Sequence, residues 1–274
     1  MGIILGIDVG GSTTKIVAFR TKKEMIGCLQ VKATDQLTSL YGAIGHFMNK
    51  YKLSLNDISK IALTGVGASF ITDDIYGIPT FKVDEFQAIG LGGSMLSKLD
   101  QALVVSMGTG SAYVRVIKDQ VTHIGGSGIG GGSLLGISSK LINENDIATI
   151  SSIAEKGDLT KVDLTIQDIS KEIIPKLPPA TTASNFGHIK SDATKEDIAL
   201  GVINMVFQTI GMLAVFACLD SPIRDVVLTG ALTSLPQTKS VFEEVSKLYS
   251  INFIVPPYAV FSTAIGATVP YLTE

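Results

Sequence analysis

A glycine-rich turn between two apolar runs occurs twice in this chain, once near its start and once near its middle. The first copy is Ile7–Lys15 (IDVGGSTTK) and the second is Ser106–Ala112 (SMGTGSA). Backbone N–H groups in such turns point into the bend, and glycine lets the main chain approach an anion without a Cβ in the way. One copy alone is equally typical of an ordinary hairpin turn. The repeat predicts a duplicated fold that holds a phosphate between its two halves.

Composition is consistent with two domains and gives no sign of a polyanionic partner. The chain has 274 residues, of which 46% are hydrophobic and 17% charged, enough for two cores. A formal net charge of −3 gives no electrostatic reason to expect nucleic acid or a membrane surface. Cys28 and Cys218 lack the spacing of a disulfide framework or a zinc site. The first apolar run has no basic flank and reaches Asp8 too early for a signal peptide, so a cytoplasmic location is expected.

One segment, Ile198–Leu219, is apolar and uncharged enough to resemble a membrane span. Asn204 and Gln208 interrupt it, and such polar residues would need partners in lipid. Thr194, followed three residues later by Asp197, is typical of a helix N-terminus. The pattern therefore predicts a long helix buried in the second half of the chain.

Strands and helices alternate along the sequence, which predicts an α/β fold with ligands at the strand ends. Strands are predicted at Ile3–Val9, Lys15–Arg20, Met25–Val31, Ile58–Thr64, Phe81–Val83 and Val226–Thr229, with a three-strand meander from Ala102. Helices are predicted at Leu37–Tyr51, Gln87–Leu99 and Ser262–Tyr271, and from Leu134 onward. The C-terminal helix, Ser262–Tyr271, is expected to pack back on the first half.

Six segments of the chain carry a family resemblance: Gly6–Lys15, Glu85-Phe86, Gly108–Gly110, the glycine tract before Leu134, Thr182–His188 and Phe261–Ala267. They resemble motifs of the actin, Hsp70 and sugar-kinase ATPase superfamily, and in particular of the type II pantothenate kinases. The phosphate turns specify only the superfamily, and Thr182–His188 narrows it to the kinases. The resemblance implies two ribonuclease-H-like lobes with the nucleotide cleft between them, residues 1–99 joined by about 260–274, and residues 100–259. It also implies ATP-dependent phosphorylation of pantothenate, the first step of coenzyme A synthesis.

Asp8 ends the first predicted strand at the phosphate turn, where a carboxylate can hold Mg²⁺, usually through water. A carboxylate that caps its own turn is the alternative. The turn is not a Walker A loop, because no Gly-Lys-Ser/Thr opens a helix there. The glycine tract does open a helix, so its first N–H groups are expected to face ribose or phosphate. Together, the residues expected to bind Mg·ATP are Asp8, Gly10, Gly11, Ser12, Thr13, Lys15, Gly108, Thr109, Gly110, Gly130, Gly131, Gly132, Ser133, Leu134, Gly230 and Ala231.

A kinase that acts on an alcohol needs a carboxylate near the hydroxyl. Asp84 and Glu85 both follow a short predicted strand and precede a helix. The resemblance selects Glu85 as the catalytic base, while a solvated acid in the first helical turn is the alternative. His188 is equally consistent with a structural hydrogen bond, and His46 lies on a predicted helix face.

The resemblance implies substrate contacts from Ser111, His123, Ala183 and Asn185. Two positions depart from the family. His123 stands where many members carry an arginine, and Ala112 replaces a second hydroxyl. Losing a permanent cation would weaken the hold on the carboxylate of pantothenate.

Two other functions remain open from the sequence alone. One is a kinase for another small alcohol, such as an amino sugar. The other is an activator-type ATPase of hydroxyacyl-CoA dehydratases, whose dimer is bridged by an iron–sulfur cluster held by cysteines. Cys28 and Cys218 do not lie in a comparable setting. A homodimer through the second half of the chain is expected for the kinase.

Overall fold

The computed structural model describes residues 2–33, 35–118, 120–172 and 177–273. The strands are β1 (Ile3–Val9), β2 (Thr13–Thr21), β3 (Glu24–Lys32), β4 (Ile58–Thr64), β5 (Thr80–Lys82), β6 (Gln101–Met107), β7 (Ser111–Ile117), β8 (Gln120–Ser127), β9 (Leu164–Thr165), β10 (Thr182–Ser184), β11 (Asp225–Thr229) and β12 (Asn252–Ile254). The helices are α1 (Gln36–Tyr51), α2 (Glu85–Ser97), α3 (Gly131–Ile142), α4 (Ile147–Ala154), α5 (Ile166–Ile169), α6 (Lys195–Cys218), α7 (Gln237–Tyr249) and α8 (Ser262–Thr268). These elements confirm the predicted α/β class.

Two five-stranded sheets share one topology, which confirms the duplication predicted from the two turns. The first has the order β3-β2-β1-β4-β5 and the second β12-β11-β6-β7-β8. In each sheet a three-strand antiparallel meander continues into two parallel strands. The carboxyl ends of β1 and β4 therefore meet at one edge, and those of β6 and β11 meet at the corresponding edge of the second sheet.

Most predicted boundaries lie within two residues of the observed ones, and two helix starts differ for a physical reason. Helix α2 begins at Glu85 because the Asp84 side chain accepts a hydrogen bond from the backbone N–H of Gln87. Helix α3 begins at Gly131, three residues before the predicted start at Leu134. The front of the glycine tract belongs to β8, which ends at Ser127.

Each sheet has its own apolar core. Helix α1 packs on β2 and β3 of the first sheet, and its Leu40, Ile44 and Phe47 are fully buried in a cluster with residues of β1, β2 and β4. Helix α6 lies at the centre of the second core, where it contacts α3, α4, α7 and β6. The two cores are consistent with a chain of two lobes.

Helix α6 is the apolar segment predicted from the sequence. Thr194 and Asp197 form its capping box, which satisfies backbone N–H groups at the helix start. By length and composition the helix could cross a membrane, and of the described residues it is the one such candidate. However, 61% of its most apolar stretch is buried inside the protein, as in the core helix of a globular domain.

Helices α2 and α8 cross between the two sheets, and glycines allow them to touch. A Cβ on Gly266 would meet the backbone of Ala88, and one on Gly92 would meet the backbone of Ser262. This close approach explains why α2 contains glycines that lower its intrinsic helix propensity. Helix α8 also packs on β1, through Ala264 and Ile265, which confirms that the C-terminal helix returns to the first half. Helix α2 contacts β6, β7 and β8 of the second sheet, and its packing against α8 joins it to the first sheet.

Candidate active site

The first glycine-rich turn joins β1 to β2 and leaves polar backbone exposed at its tip. The N–H of Gly10 donates to the carbonyl of Thr13 across 3.0 Å, and the carbonyl of Ser12 accepts from the N–H of Ala33 across 2.9 Å. Gly11 and Ser12 are exposed at the bend. A short bend with exposed N–H groups is the arrangement that binds phosphate oxygens.

Asp8 and Lys15 form an ion pair directly beneath this turn. They are cross-strand partners, and the Lys15 Nζ lies 3.2 Å from Asp8 Oδ2. Only 6% of Asp8 and 9% of Lys15 is exposed. Both charges therefore lie where solvent screens them weakly, which suits a carboxylate that meets a metal and an ammonium that meets a phosphate.

In each sheet, a sharp backbone turn follows the strand that runs parallel to the first strand of the hairpin. Gly65 comes after β4 with φ +89°, and Gly230 comes after β11 with φ +92°. A Cβ on Gly230 would lie 2.6 Å from the carbonyl oxygen of Met107. Each of these glycines is followed by a 3₁₀ turn, at Val66–Phe70 and at Ala231–Ser234. Gly65 was not among the predicted site residues, although its place in the repeat matches that of Gly230.

The second glycine-rich turn packs against the start of α3. Within it, the N–H of Gly108 donates to the carbonyl of Gly110 across 2.9 Å. The N–H groups of Gly131 and Gly132 donate to the carbonyls of Gly108 and Thr109, both across 2.8 Å. The turn and the helix start therefore form one rigid unit.

These bonds correct part of the prediction for the glycine tract. The N–H groups of Gly131 and Gly132 are taken by the turn, and that of Leu134 donates to Gly130. The Leu134 side chain is fully buried in the core of the second sheet. The Ser133 hydroxyl donates to the carbonyl of Gly128. The expectation that this tract offers its first N–H groups to the nucleotide was wrong for Gly131, Gly132 and Leu134, because the turn and the helix itself use them.

Glu85 is the first residue of α2, and its carboxyl is partly buried. Burial raises the pKa of Glu85 above its usual value, and the nearby carboxylates of Asp8 and Asp84 raise it further, while Lys15 opposes the shift. Because the charges of Asp8 and Lys15 both act on this pKa, Glu85 lies within electrostatic reach of the phosphate turn. A carboxylate with a raised pKa is better suited to accept a proton near neutral pH.

Phe86 and His123 stack on each other beside Glu85. Their ring centroids are 3.7 Å apart and their planes differ by 15°. Phe86 belongs to α2 and His123 to β8, so this contact joins the helix of the candidate base to the second sheet. His123 itself is exposed. No local sequence pattern predicts this stack, since the two rings come from distant segments.

The Ser111 side chain is buried and hydrogen-bonds towards α6. Its hydroxyl donates to the Tyr113 hydroxyl across 3.3 Å, and Tyr113 in turn donates to the carbonyl of Ile210 in α6. Successive side chains of a strand point to opposite faces. Ala112, not Ser111, therefore shares the face of Phe86, and both pack in one apolar cluster. A substrate contact from Ser111 stays a prediction.

Asn185 takes part in a structural network centred on a buried carboxylate. Asp163 is fully buried and accepts hydrogen bonds from the Thr182 hydroxyl, the Phe186 N–H and the Asn204 side chain across 3.0, 2.9 and 2.9 Å. The Asn185 amide reaches Asp163 at 3.4 Å and Gln208 at 3.3 Å. Ala183, on β10, is exposed in contrast. His188, beyond that strand, is exposed as well.

Neither cysteine lies in a metal site. Cys28 is half-buried in β3 and Cys218 is buried at the end of α6. Among residues 2–33, 35–118, 120–172 and 177–273, no group of three His, Cys, Asp or Glu side chains could hold a metal ion by itself. Asp8 would therefore hold a cation together with ligand oxygens and water.

Comparison with known proteins gives one matching family and several relatives. The model of the Fumble family matches residues 95–268. Type II pantothenate kinase of Staphylococcus aureus is 28% identical, and the alignment covers 96% of this chain and 97% of that protein. The enzyme of the same name from Staphylococcus haemolyticus is 26% identical, with 96% and 98% covered.

Structures with the same fold include two from other functional groups. The activator of 2-hydroxyisocaproyl-CoA dehydratase from Clostridium difficile, with bound ADPNP, has a TM-score of 0.69 at 16% identity and covers 98% of this chain and 93% of its own. A ROK hexokinase from Thermus thermophilus has a TM-score of 0.56 at 13% identity, with 97% of each chain covered. At these identities the likeness shows the ATPase fold alone.

Proposed function

We propose that Glu85 is the base and that Mg·ATP binds between the two glycine-rich turns of this chain, which belongs to the Fumble family, the type II pantothenate kinases. The chain phosphorylates pantothenate with ATP in coenzyme A synthesis. The observation that carries this proposal is the convergence at one edge of the Asp8–Lys15 pair, the exposed turn and Glu85. The activator and sugar-kinase alternatives are supported by fold alone and are not favoured.

We assign the two sheets to two lobes, residues 1–99 with about 260–274, and residues 100–259. ATP lies between them, with its phosphates on Gly10–Thr13 and Gly108–Gly110 and its adenosine beside Gly230-Ala231. The bare Cα of Gly230 supports this placement, because a side chain there would have no room against Met107.

Asp8 and phosphate oxygens fit Mg²⁺, which takes hard oxygen ligands and keeps several waters. When bound, the ion neutralises charge on the transferring phosphate. Lys15 approaches the phosphates as a second cation once Asp8 turns to the metal. The 3.2 Å contact between Lys15 Nζ and Asp8 Oδ2 supports these two roles, because both charged groups lie at the same place beneath the turn.

Glu85 accepts the proton of the primary hydroxyl of pantothenate while that oxygen attacks the γ-phosphate in line. The O–H bond breaks towards Glu85, the new P–O bond forms, and ADP leaves with the electrons of the old one. Such transfer is mostly positioning and charge stabilisation, so the base accepts the proton late in the step. The raised pKa of Glu85 suits that task.

His123 lies on the same side as Glu85 and offers the imidazole N–H groups to the acceptor. Because Phe86 stacks on one face of the ring, the ring edge is the part left for a polar partner. A carboxylate such as that of pantothenate can accept a hydrogen bond from an imidazole N–H. Ala183 remains a proposed contact, and Asn185 reaches substrate only if it leaves its bonds to Asp163 and Gln208.

A homodimer is proposed through α6. On the outer side of this buried helix, Met205, Thr209, Met212 and Phe216 recur at helical spacing and are half-exposed or exposed. Phe216 is 59% exposed, and Leu219 just beyond the helix is 65% exposed. An apolar stripe of this kind on an otherwise buried helix is typical of a subunit interface. We further propose a cytoplasmic location.

A coupled ADP-release assay tests the assignment. Pantothenate, pantetheine and N-acetylated or free amino sugars are compared at equal concentrations with Mg·ATP. Pantothenate should give the largest kcat/KM, and Asp8→Asn should lower turnover more than tenfold because the metal loses a charged partner. Preferential turnover of an amino sugar would replace pantothenate as the acceptor, and full activity of Asp8→Asn would remove Asp8 from the mechanism.

A further inference from the structure

The segment Gly65–Gly67, here called the elbow, wraps around the end of β1. A Cβ built on Gly65 would lie 2.6 Å from Asp8 Oδ1 and 2.6 Å from the carbonyl oxygen of Val9. A Cβ on Gly67 would meet the side chain of Val9. Real Cβ atoms do not approach oxygen this closely, so the elbow can touch the end of β1 only with glycine at these positions.

The two oxygens of the Asp8 carboxylate therefore have different close neighbours. Lys15 holds Oδ2 with its ammonium, and the bare Cα of Gly65 borders Oδ1. The backbone of Gly65 has φ +89° and ψ 163°, a region open almost only to glycine. Strain of this kind is kept where the surrounding structure requires a particular position.

We propose that Gly65 is a positioning residue for the metal-binding carboxylate of Asp8. The proposal rests on the role assigned to Asp8 under the proposed function. Any side chain at residue 65 would push Oδ1 away from the place where the cation and the phosphates meet. In sheet order β1-β4-β5, the elbow also lies between Asp8 and the strand that precedes Glu85, so a displaced elbow would disturb the spacing between metal and base.

The repeat provides an internal comparison. Gly230 has nearly the same φ, +92°, and crowds the carbonyl of Met107 in the second sheet. Met107 occupies the position after Ser106, as Val9 follows Asp8, and the second copy has no carboxylate there. The turn geometry is thus common to both halves, whereas the contact with a carboxylate is particular to Gly65.

The test compares Gly65→Ala with two alanine controls in the same half of the chain. Gly67→Ala adds a Cβ in the same elbow against Val9 without reaching Asp8. Gly77→Ala imposes positive φ (+72°) with open space around the new Cβ. Each variant is measured for kcat/KM, for the Mg²⁺ concentration at half-maximal activity, and for the increase in Tm that Mg²⁺ adds in the presence of ADP.

Gly65→Ala should lower kcat/KM by about 10²-fold, the cost of a misplaced group in an active site. It should raise the half-saturating Mg²⁺ concentration about 10-fold or more, as loss of an outer-shell contact does. The Mg²⁺-dependent increase in Tm should disappear in Gly65→Ala and persist in both controls. If Gly65→Ala matches either control in its Mg²⁺ response, the inference is overturned.

Asp8→Asn separates this inference from the proposed function. If Asp8→Asn keeps the Mg²⁺-dependent increase in Tm, Asp8 does not hold the metal and the proposed site itself fails. If Asp8→Asn loses it while Gly65→Ala keeps it, only the role of Gly65 fails. Should Gly65→Ala not melt cooperatively, Asp8→Glu takes its place. The elbow leaves no room for a longer carboxylate, so Asp8→Glu should be as impaired as Asp8→Asn, and wild-type activity in it would overturn the inference.

Discussion

Replacing Glu85 by glutamine should abolish most of the turnover without weakening the fold. Glu85→Gln keeps the size and the polar end of the side chain but cannot accept a proton. General-base catalysis contributes about 10² to 10⁴ in rate, or roughly 3 to 5 kcal/mol of activation free energy. Since burial and the Asp8 and Asp84 carboxylates disfavour the charged form of Glu85, a neutral side chain should leave Tm unchanged or raise it.

The neighbouring acid provides the matched control. Asp84 is exposed and caps α2 through a 3.0 Å bond to the N–H of Gln87. Asp84→Asn keeps a side-chain acceptor at the cap, and Asp84→Ala should cost about 1 kcal/mol of stability. Both should retain kcat within a few-fold of wild type. The assay is steady-state ADP release with pantothenate, together with thermal melts of all four proteins. A kcat of Glu85→Gln within tenfold of wild type would refute the assignment of the base.

The pH profile tests the same residue independently. Because the pKa of Glu85 is raised, its carboxylate forms only above the usual range, so kcat/KM should rise with pH along an acid limb that lies above about 4.5. Asp8 raises this pKa and Lys15 lowers it, so Lys15→Met should move the limb to higher pH. A limb that stays in place in Lys15→Met would show that another group limits the rate.

Three further outcomes follow from the structure. His123→Arg should lower KM for pantothenate about tenfold, because a permanent cation strengthens the hold on a carboxylate, and it should leave KM for ATP unchanged. A KM for pantothenate equal to that of wild type would place His123 outside the acceptor site. Thr194→Ala removes the cap of α6 and should cost about 1 kcal/mol, or roughly 2 to 4 °C in Tm, with kcat unaffected. Sedimentation equilibrium at micromolar concentration should give twice 28.9 kDa, and a species of only that mass would contradict the dimer.

The sequence predicted the architecture well because the repeat and the apolar patterns are local. Strands β1 and β4 were predicted with their observed bounds, and α6 with its start from the Thr194–Asp197 box. The start of α3 was misplaced because glycine has no preference that separates strand from helix in a run such as Gly125–Ser133. There the helix begins where the turn at Gly108–Gly110 accepts its first N–H groups, a tertiary contact.

The site was less predictable for the same reason. Which face of β7 carries Ser111 depends on pairing with α6, and the sequence does not show which face meets α2. The Phe86–His123 stack and the Asp163 network join residues far apart in the chain, so no local pattern predicts them. Gly65 was recognisable in principle, because it follows β4 as Gly230 follows β11.

The central claim is that this chain moves the γ-phosphate of ATP to the primary hydroxyl of pantothenate. Phosphorus NMR of a reaction with Mg·ATP and pantothenate tests it most directly, with Glu85→Gln as the control. Wild type should produce a phosphate monoester resonance, split by the neighbouring CH₂ protons, in step with ADP, and Glu85→Gln should produce it at least about 10²-fold more slowly. ADP and inorganic phosphate without that ester, or the ester at equal rates from both proteins, would contradict the account.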